Sequence, residues 1–262
     1  MKEFFGIGGY QRPAEGYMSW QHLLFIGSLM LVMVGLAVIF GLRTRRREAK
    51  PRDGPMIPPP PPLLAVETFK YVSLGVKAGI ENDPDWWTVN LPLFLCSIQL
   101  FTIPLAAFAK GRVQEASLDF VMIFGILGAV LGTVGAAQNY NAYPVLSFNN
   151  VVSGLTHTIA GFASLYIMIS GRGSLKENNI WITFAILFGV CAMAFGANAW
   201  LDYNYMFLRA GDGTPYDILY NLVGGNPVLY PMGVVGLFLL YITAFYGIHH
   251  LVAAKKKEAA KV

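Results

Sequence analysis

Apolar and polar positions occur in long blocks along the chain, so that seven apolar segments are separated by polar loops. Each segment is long enough to cross a bilayer core of about 30 Å as a helix that rises 1.5 Å per residue. The pattern predicts an all-α, polytopic membrane protein with about seven transmembrane helices in one domain, residues 1–262. The predicted spans are Trp20–Leu42, Leu63–Ile80, Val89–Ala109, Leu118–Ala137, Asn150–Ser170, Ile180–Trp200 and Pro227–Val252.

The second span is the weakest of these, because Glu67, Lys70 and Lys77 interrupt it. The distribution of basic residues supports it nevertheless. Most of the 19 lysines and arginines follow the odd-numbered spans, and such an excess marks the cytoplasmic side of a membrane protein. We therefore expect an external N-terminus, a cytoplasmic C-terminus, an odd number of spans, and a basic, proline-rich cytoplasmic loop over residues 43–62.

Composition agrees with this class. Hydrophobic residues make up 55% of the chain and charged residues only 13%, which is too little polar surface for a soluble protein of this length. The net charge of +4 does not require a nucleic-acid partner, because basic loops next to spans meet anionic lipid headgroups. The first span has no small-residue cleavage site behind it, so we expect it to be retained, as in a bacterial inner membrane protein.

The chain contains no phosphate-binding loop, no zinc-binding HExxH sequence and no dinucleotide fingerprint, so the sequence predicts no cofactor and no metal. The cysteines Cys96 and Cys191 both fall inside predicted spans and provide no disulfide framework. Four glycines recur along the fourth span at helical spacing, which predicts close packing against a neighbouring helix. They are Gly125, Gly128, Gly132 and Gly135.

Polar residues inside spans carry the functional argument, because ionisable groups at membrane depth are costly and usually face a partner or a site. His157 and Cys96 each lie seven residues into a span that enters from outside, so both are predicted about 10 Å below the outer boundary. A pocket open to the outside is expected around them. Its predicted substrate-binding residues are His22, Gln99, Asn198, Asp202, Asn204 and Tyr205.

Glu67 and Lys70 are predicted to lie towards the cytoplasmic half of the second span. Their i,i+3 spacing permits an ion pair on one helix face. We interpret this pair as structural or coupling rather than catalytic.

The order of these residues is similar to that of the YwaF-like family of bacterial integral membrane proteins. The similarity is carried by His22, Glu67, the sequence LPLFLC at Leu91–Cys96, His157, and the sequence NYMFL at Asn204–Leu208. More distantly, the chain resembles eukaryotic transmembrane phospholipid acyltransferases that depend on cysteine, and androgen-induced lipid hydrolases that use threonine and histidine. The resemblance implies a membrane-embedded nucleophile and a histidine on separate helices.

His157 matches the histidine of those families, whereas the nucleophile departs from their pattern. The Asn-Pro-Cys-His sequence of the acyltransferases corresponds to Leu91–Phe94 here, so Leu93 stands where their cysteine would be and Cys96 follows three residues later.

Two classes of function remain. In a lipid acyltransferase or lipid hydrolase, His157 is the general base, Asn198 or Asn204 stabilises the oxyanion, and the nucleophile is Cys96, Thr156 or Thr158. In a binding or transport protein, the same pocket holds a small molecule or ion. The expected partners are membrane lipids, with a homo-oligomer or a larger membrane complex as further alternatives.

Overall fold

A computed structural model describes residues 2–47 and 61–259 of the protein. Within these ranges the fold is entirely helical, as predicted, and contains ten α-helices joined by short 3₁₀ turns and loops. In chain order they are α1 (Lys2–Phe5), α2 (Trp20–Arg47), α3 (Pro61–Glu81), α4 (Gln99–Phe108), α5 (Gly111–Leu131), α6 (Ala137–Ala142), α7 (Phe148–Ser170), α8 (Ile180–Leu201), α9 (Tyr216–Leu222) and α10 (Leu229–Ala259).

Five of the described helices are long and apolar enough to cross a membrane: α2, α5, α7, α8 and α10. They occupy the positions of the first, fourth, fifth, sixth and seventh predicted spans. Large apolar side chains such as Leu31 and Leu240 remain 76% and 65% exposed on them. Such surfaces are stable in contact with lipid chains, so the chain is a multi-pass membrane protein.

The predicted third span is not a continuous helix. Only its second half forms a helix, α4, whereas residues 91–98 form bends and turns. Pro92 explains the break, because the residue before a proline is restricted to extended backbone and Leu91 has φ −57° and ψ 138°. Cys96 therefore lies in the turn that precedes α4 and not on a regular helix, so the helical rise from which its depth was predicted does not apply there.

The second and fourth predicted spans also differ from the helices observed. Helix α3 forms as expected, although its four charged residues, Glu67, Lys70, Lys77 and Glu81, keep it outside the set of strongly apolar helices. Helix α5 begins about two turns earlier than predicted and ends at Leu131, because residues 132–135 unwind into turns. The count of seven spans remains a prediction.

The predicted cytoplasmic loop begins later than expected, because residues 43–47 continue α2. Residues 48–60, which include Lys50, Arg52 and most of the proline run, lie outside the described residues, as does Lys261. Pro61 and Pro62 open α3, where proline is tolerated since the first helical N–H groups need no helical acceptor.

Helix α7 is the centre of the bundle and packs against α2, α3, α4 and α5. The Ser147 hydroxyl caps its first turn by accepting a hydrogen bond from the Asn150 N–H. Its contact with α5 is close at Gly125, where an added Cβ would lie 2.6 Å from the carbonyl oxygen of Ala160. The prediction of close packing along the glycine row is confirmed at this position.

A buried carboxylate, Asp119 of α5, holds the loop between α7 and α8. It accepts hydrogen bonds from the backbone N–H groups of Ser174 and Leu175 (3.0 Å each), the Asn179 amide (3.1 Å) and the Tyr246 hydroxyl (3.2 Å). One side chain thus connects α5, this loop and α10. Nothing in the pattern of apolar and polar positions indicated this role of Asp119.

Candidate functional site

The helices enclose a cavity of about 1650 Å³. Its walls come from α3, the irregular segment before α4, the first turn of α4, α5, α7 and the loop that follows α8. This volume exceeds the range of about 300–1,000 Å³ that is usual for small-molecule sites. The predicted site residues along its wall are Glu67, Lys70, Cys96, Gln99, His157, Asp202 and Asn204.

The imidazole of His157 lies directly over Gly132, the residue that follows the end of α5. A Cβ on Gly132 would overlap ring atoms Cε1, Nε2 and Cδ2 of His157. Neither ring nitrogen of His157 has a hydrogen-bond partner among the described residues, so both remain available to a ligand. Gly132 belongs to the glycine row that was predicted to serve helix packing alone. It also leaves room for the imidazole of His157.

Cys96 lies beside the same stretch of α5. A Cβ on Gly128 would lie 3.6 Å from the Cβ of Cys96 and 4.0 Å from the Nδ1 of His157. The Cβ of Cys96 and the Nδ1 of His157 are therefore no farther apart than the sum of these two distances. The Cys96 sulfur is also 4.0 Å from the Ser97 hydroxyl. The structure thus brings together the thiol and the imidazole that were expected to meet.

Glu67 and Lys70 also line this cavity. The Lys70 Nζ lies 2.6 Å from the Glu67 Oε2, and the two side chains are only 23% and 11% exposed. The Lys70 ammonium is close enough to interact electrostatically with both Cys96 and His157. The predicted ion pair therefore exists, and it lies at the same cavity as Cys96 and His157, whereas its position in the cytoplasmic half of the membrane stays a prediction.

Gln99 opens α4 and is almost fully buried at the cavity wall. Its Oε1 accepts a hydrogen bond from the Thr102 hydroxyl (3.1 Å), whereas its Nε2 has no partner in the described part of the chain. An unsatisfied buried amide is costly and needs an explanation, such as a ligand that the amide binds.

The loop after α8 contributes a polar network to the lining of the cavity. Arg209 pairs with Asp202 at 2.7 Å, and the Asn204 amide donates to Asp212 (2.7 Å) and to the carbonyl of Ala210 (2.8 Å). Burial, with the nearby Asp212 as a second cause, raises the pKa of Tyr203, so that phenol stays neutral at physiological pH. Sequence reasoning included Asp202 and Asn204 but missed Arg209 and Asp212.

Asn198 and Tyr205, two of the predicted pocket residues, are buried and bond to each other, and neither lines the cavity. The Asn198 amide donates to the carbonyl of Tyr205 (3.1 Å) and accepts from its N–H (2.6 Å). The Tyr205 side chain is fully buried, and its hydroxyl donates to the carbonyl of Thr88. The bonds between Asn198 and Tyr205 hold the loop after α8 against that helix.

His22 lies in a small aromatic cluster with Tyr17 and Tyr140. Its Nδ1 accepts a hydrogen bond from the Met18 N–H (3.2 Å), and its ring packs 4.1 Å from that of Tyr140 and 5.3 Å from that of Tyr17. The structure does not bring His22 to the cavity that His157 lines.

The alternative hydroxyl nucleophiles differ in position. Thr156 lines the cavity, and its hydroxyl donates to the carbonyl of Ser153 (3.0 Å). Thr158 is buried, and its hydroxyl donates to the carbonyl of Gly154 (2.6 Å). Among the described residues, no cluster of histidine, cysteine, aspartate or glutamate has the arrangement of a metal site.

Fold and cavity together define a multi-pass helical membrane protein whose helices line a chamber with both apolar and charged side chains. The sequence model of the TMEM164 family matches residues 17–248, and the chain belongs to this family. No curated protein and no solved structure matches the chain. The match agrees with the membrane class inferred from the sequence, whereas the YwaF-like assignment remains a prediction.

Proposed function

We propose that this protein is a membrane-embedded enzyme that cleaves a lipid ester by acyl transfer or hydrolysis, with Cys96 as nucleophile and His157 as general base. The observation that carries the proposal is the approach of Cys96 and His157 to the same point on α5, at the wall of a chamber large enough for a lipid. The distant resemblance to cysteine-dependent phospholipid acyltransferases supports the same chemistry.

The proposed reaction has two steps. The Cys96 thiol gives its proton to His157, and the sulfur attacks the ester carbonyl of the lipid. The C–O bond then breaks, the proton on His157 passes to the departing lipid oxygen, and a thioester remains on Cys96. In the second step an alcohol acceptor or water loses a proton to His157, attacks the thioester, and releases the acyl group as the Cys96 sulfur recovers its proton.

Stabilisation of the oxyanion is assigned to the backbone N–H of Cys96 and not to the predicted asparagines. The amides of Asn198 and Asn204 already bond to protein groups. The N–H of Cys96, by contrast, precedes the first turn of α4 and has no acceptor within the described residues. A backbone donor beside the nucleophile can meet the charge that develops on the carbonyl oxygen.

The proposal includes seven spans, with α3 and α4 crossing the membrane in addition to the five strongly apolar helices, an external N-terminus and a cytoplasmic C-terminus. In this topology the loop after α8 faces outward, and the polar network at Arg209 forms the outer end of the chamber.

The test is intact-mass analysis of the purified protein in lipid nanodiscs. We expect a fatty-acyl mass adduct that Cys96→Ala abolishes and His157→Ala slows by about 10²-fold or more, the lower range for loss of a general base. Cys191→Ala is the matched control, because Cys191 is buried in α8. An adduct that survives Cys96→Ala would transfer the role to a hydroxyl such as that of Thr156.

A binding or transport protein is the second candidate. It is favoured by the length of the chamber, which is lined by Leu63 near the start of α3 and by Glu81 at its end. If no adduct forms and no free fatty acid accumulates with any phospholipid, the enzymatic proposal fails and this candidate remains.

A further inference from the structure

We infer that Lys70 and Gln99 form a subsite for the phosphodiester of a glycerophospholipid, with Glu67 positioning the lysine. This inference rests on the proposed function, because it names the part of the lipid that is held while the ester meets Cys96. The sequence alone indicated only a structural or coupling role for the Glu67–Lys70 pair.

The position of Lys70 is the first argument. It lies near the middle of α3, about 14 Å from its start and about 16 Å from its end at 1.5 Å per residue, which is too far for its side chain to reach either end of the helix. Charged side chains at such depth are rare and mark ligand sites or ion pathways. The ion pair with Glu67 lowers the cost of burial, but it does not explain why a cation lines the chamber.

The other cations of the chamber provide the second argument. Three lysine or arginine side chains line it within the described residues: Lys70, Lys77 and Arg209. Arg209 bonds to Asp202 and two backbone carbonyls, and Lys77 pairs with Glu81 near the end of α3. Only Lys70 interacts electrostatically with both Cys96 and His157, so it is the cation placed beside the proposed chemistry.

The unused hydrogen-bond donors give the third argument. An ammonium carries three N–H donors. The Lys70 ammonium forms an ion pair with Glu67 and lies 4.8 Å from the centroid of the Tyr71 ring, and these two contacts leave donors for a ligand. The Gln99 Nε2, three residues after Cys96, also has no partner in the described part of the chain. A phosphodiester offers several acceptor oxygens and a negative charge, and in a glycerophospholipid it lies only a few bonds from the ester carbonyls. A phosphate at Lys70 therefore leaves the ester near Cys96.

Ligand binding tests the subsite independently of turnover. Isothermal titration calorimetry on the protein in amphipol would compare dihexanoylphosphatidylcholine, which has the phosphodiester, with dihexanoylglycerol, which has the same chains without it. Glycerophosphocholine, the headgroup without chains, separates a lipid ligand from a soluble phosphodiester.

The variants are chosen so that no carboxylate is left unpaired in the bundle. Glu67→Gln keeps Lys70, whereas Glu67→Gln/Lys70→Met removes the ammonium from the same background. Relative to the single variant, we expect the double variant to bind dihexanoylphosphatidylcholine about tenfold more weakly, as for loss of one charge-assisted hydrogen bond. Binding of dihexanoylglycerol should change less than twofold. Lys77→Met is the control on the same helix and should behave like the wild type, because its partner Glu81 still accepts a hydrogen bond from the Gly8 N–H (2.8 Å).

Three results would overturn the inference: equal losses for both lipids, a larger loss in Lys77→Met than in the double variant, or glycerophosphocholine binding as tightly as the lipid. Acyl adducts are measured separately. Lysine-dependent binding of phosphatidylcholine without any adduct would remove the proposed catalysis and leave the subsite. Adduct formation with binding that does not depend on Lys70 would remove the subsite and leave the catalysis.

Discussion

At the scale of single residues, the site depends on how closely α5 and the imidazole of His157 approach each other. Gly132 has no side chain, and the ring occupies the space that a Cβ would need. The backbone of Gly132 has φ −80°, so conformational freedom is not the reason for a glycine here. Space for the histidine ring is the reason.

We predict that Gly132→Ala impairs acyl transfer while Cys96 is unchanged. The added methyl group overlaps the imidazole and must displace it from Cys96, and misplacement by about 1 Å can cost about 10²-fold in rate. Single-turnover adduct formation in nanodiscs measures the effect. Gly236→Ala in α10 is the control, since nothing lies within 4 Å of its added Cβ. A Gly132→Ala protein that reacts at the wild-type rate would show that this ring position is not required.

At the scale of elements, the interruption of the predicted third span shapes the site. A continuous helix through residues 89–109 would have placed Cys96 on a helix surface. Instead, the extended backbone at Leu91 and the following turns put the cysteine just before the N-terminus of α4, beside α5 and α7. The same break leaves the backbone N–H of Cys96 without a helical acceptor.

The loop between α7 and α8 depends on Asp119, and we predict that Asp119→Asn lowers the free energy of unfolding by about 3 kcal/mol. The neutral amide accepts fewer hydrogen bonds than a carboxylate, so buried donors such as the Asn179 amide and the Tyr246 hydroxyl lose a partner. Unfolding in mixed micelles, followed by circular dichroism, measures the loss.

Glu115→Gln is the matched control, because Glu115 joins the same helix to the same loop through Lys176 at 2.6 Å but on an exposed surface. Exposed ion pairs contribute little to stability, so this variant should unfold like the wild type. Equal destabilisation by the two substitutions would contradict the role assigned to burial at Asp119.

At the scale of the whole molecule, the arrangement of α3 and α4 in the membrane decides between seven spans and five. We predict seven, with the segment between these helices outside. In a protein with Cys96→Ala and Cys191→Ala, a membrane-impermeant maleimide should label Asp85→Cys and Asn221→Cys on intact cells. Lys176→Cys should react only after permeabilisation.

The same labelling pattern identifies the alternatives. If Asp85→Cys reacts only after permeabilisation while Asn221→Cys reacts on intact cells, then α3 and α4 do not cross, and five spans remain. Labelling of Lys176→Cys on intact cells would reverse the orientation derived from the basic loops.

The sequence by itself determined the helical membrane class and the positions of the long helices. Bilayer thickness requires long apolar segments, and those segments are visible as such in the chain. The cysteine and the histidine could also be selected from the sequence, because polar and reactive groups stand out in apolar spans. The Glu67–Lys70 pair could be predicted too, since i,i+3 neighbours on a helix are close whatever surrounds them.

Only the tertiary structure decided which of these groups share the chamber. Depth counted in residues assumes a regular helical rise, and the turns around Cys96 break that assumption. His22 and Asn198 were selected by the same criterion as His157, yet each is directed to a structural contact. The imidazole over Gly132 and the approach of Cys96 to Gly128 both depend on contacts between segments far apart in the sequence. Such contacts arise from the packing of the bundle and leave no local pattern in the chain.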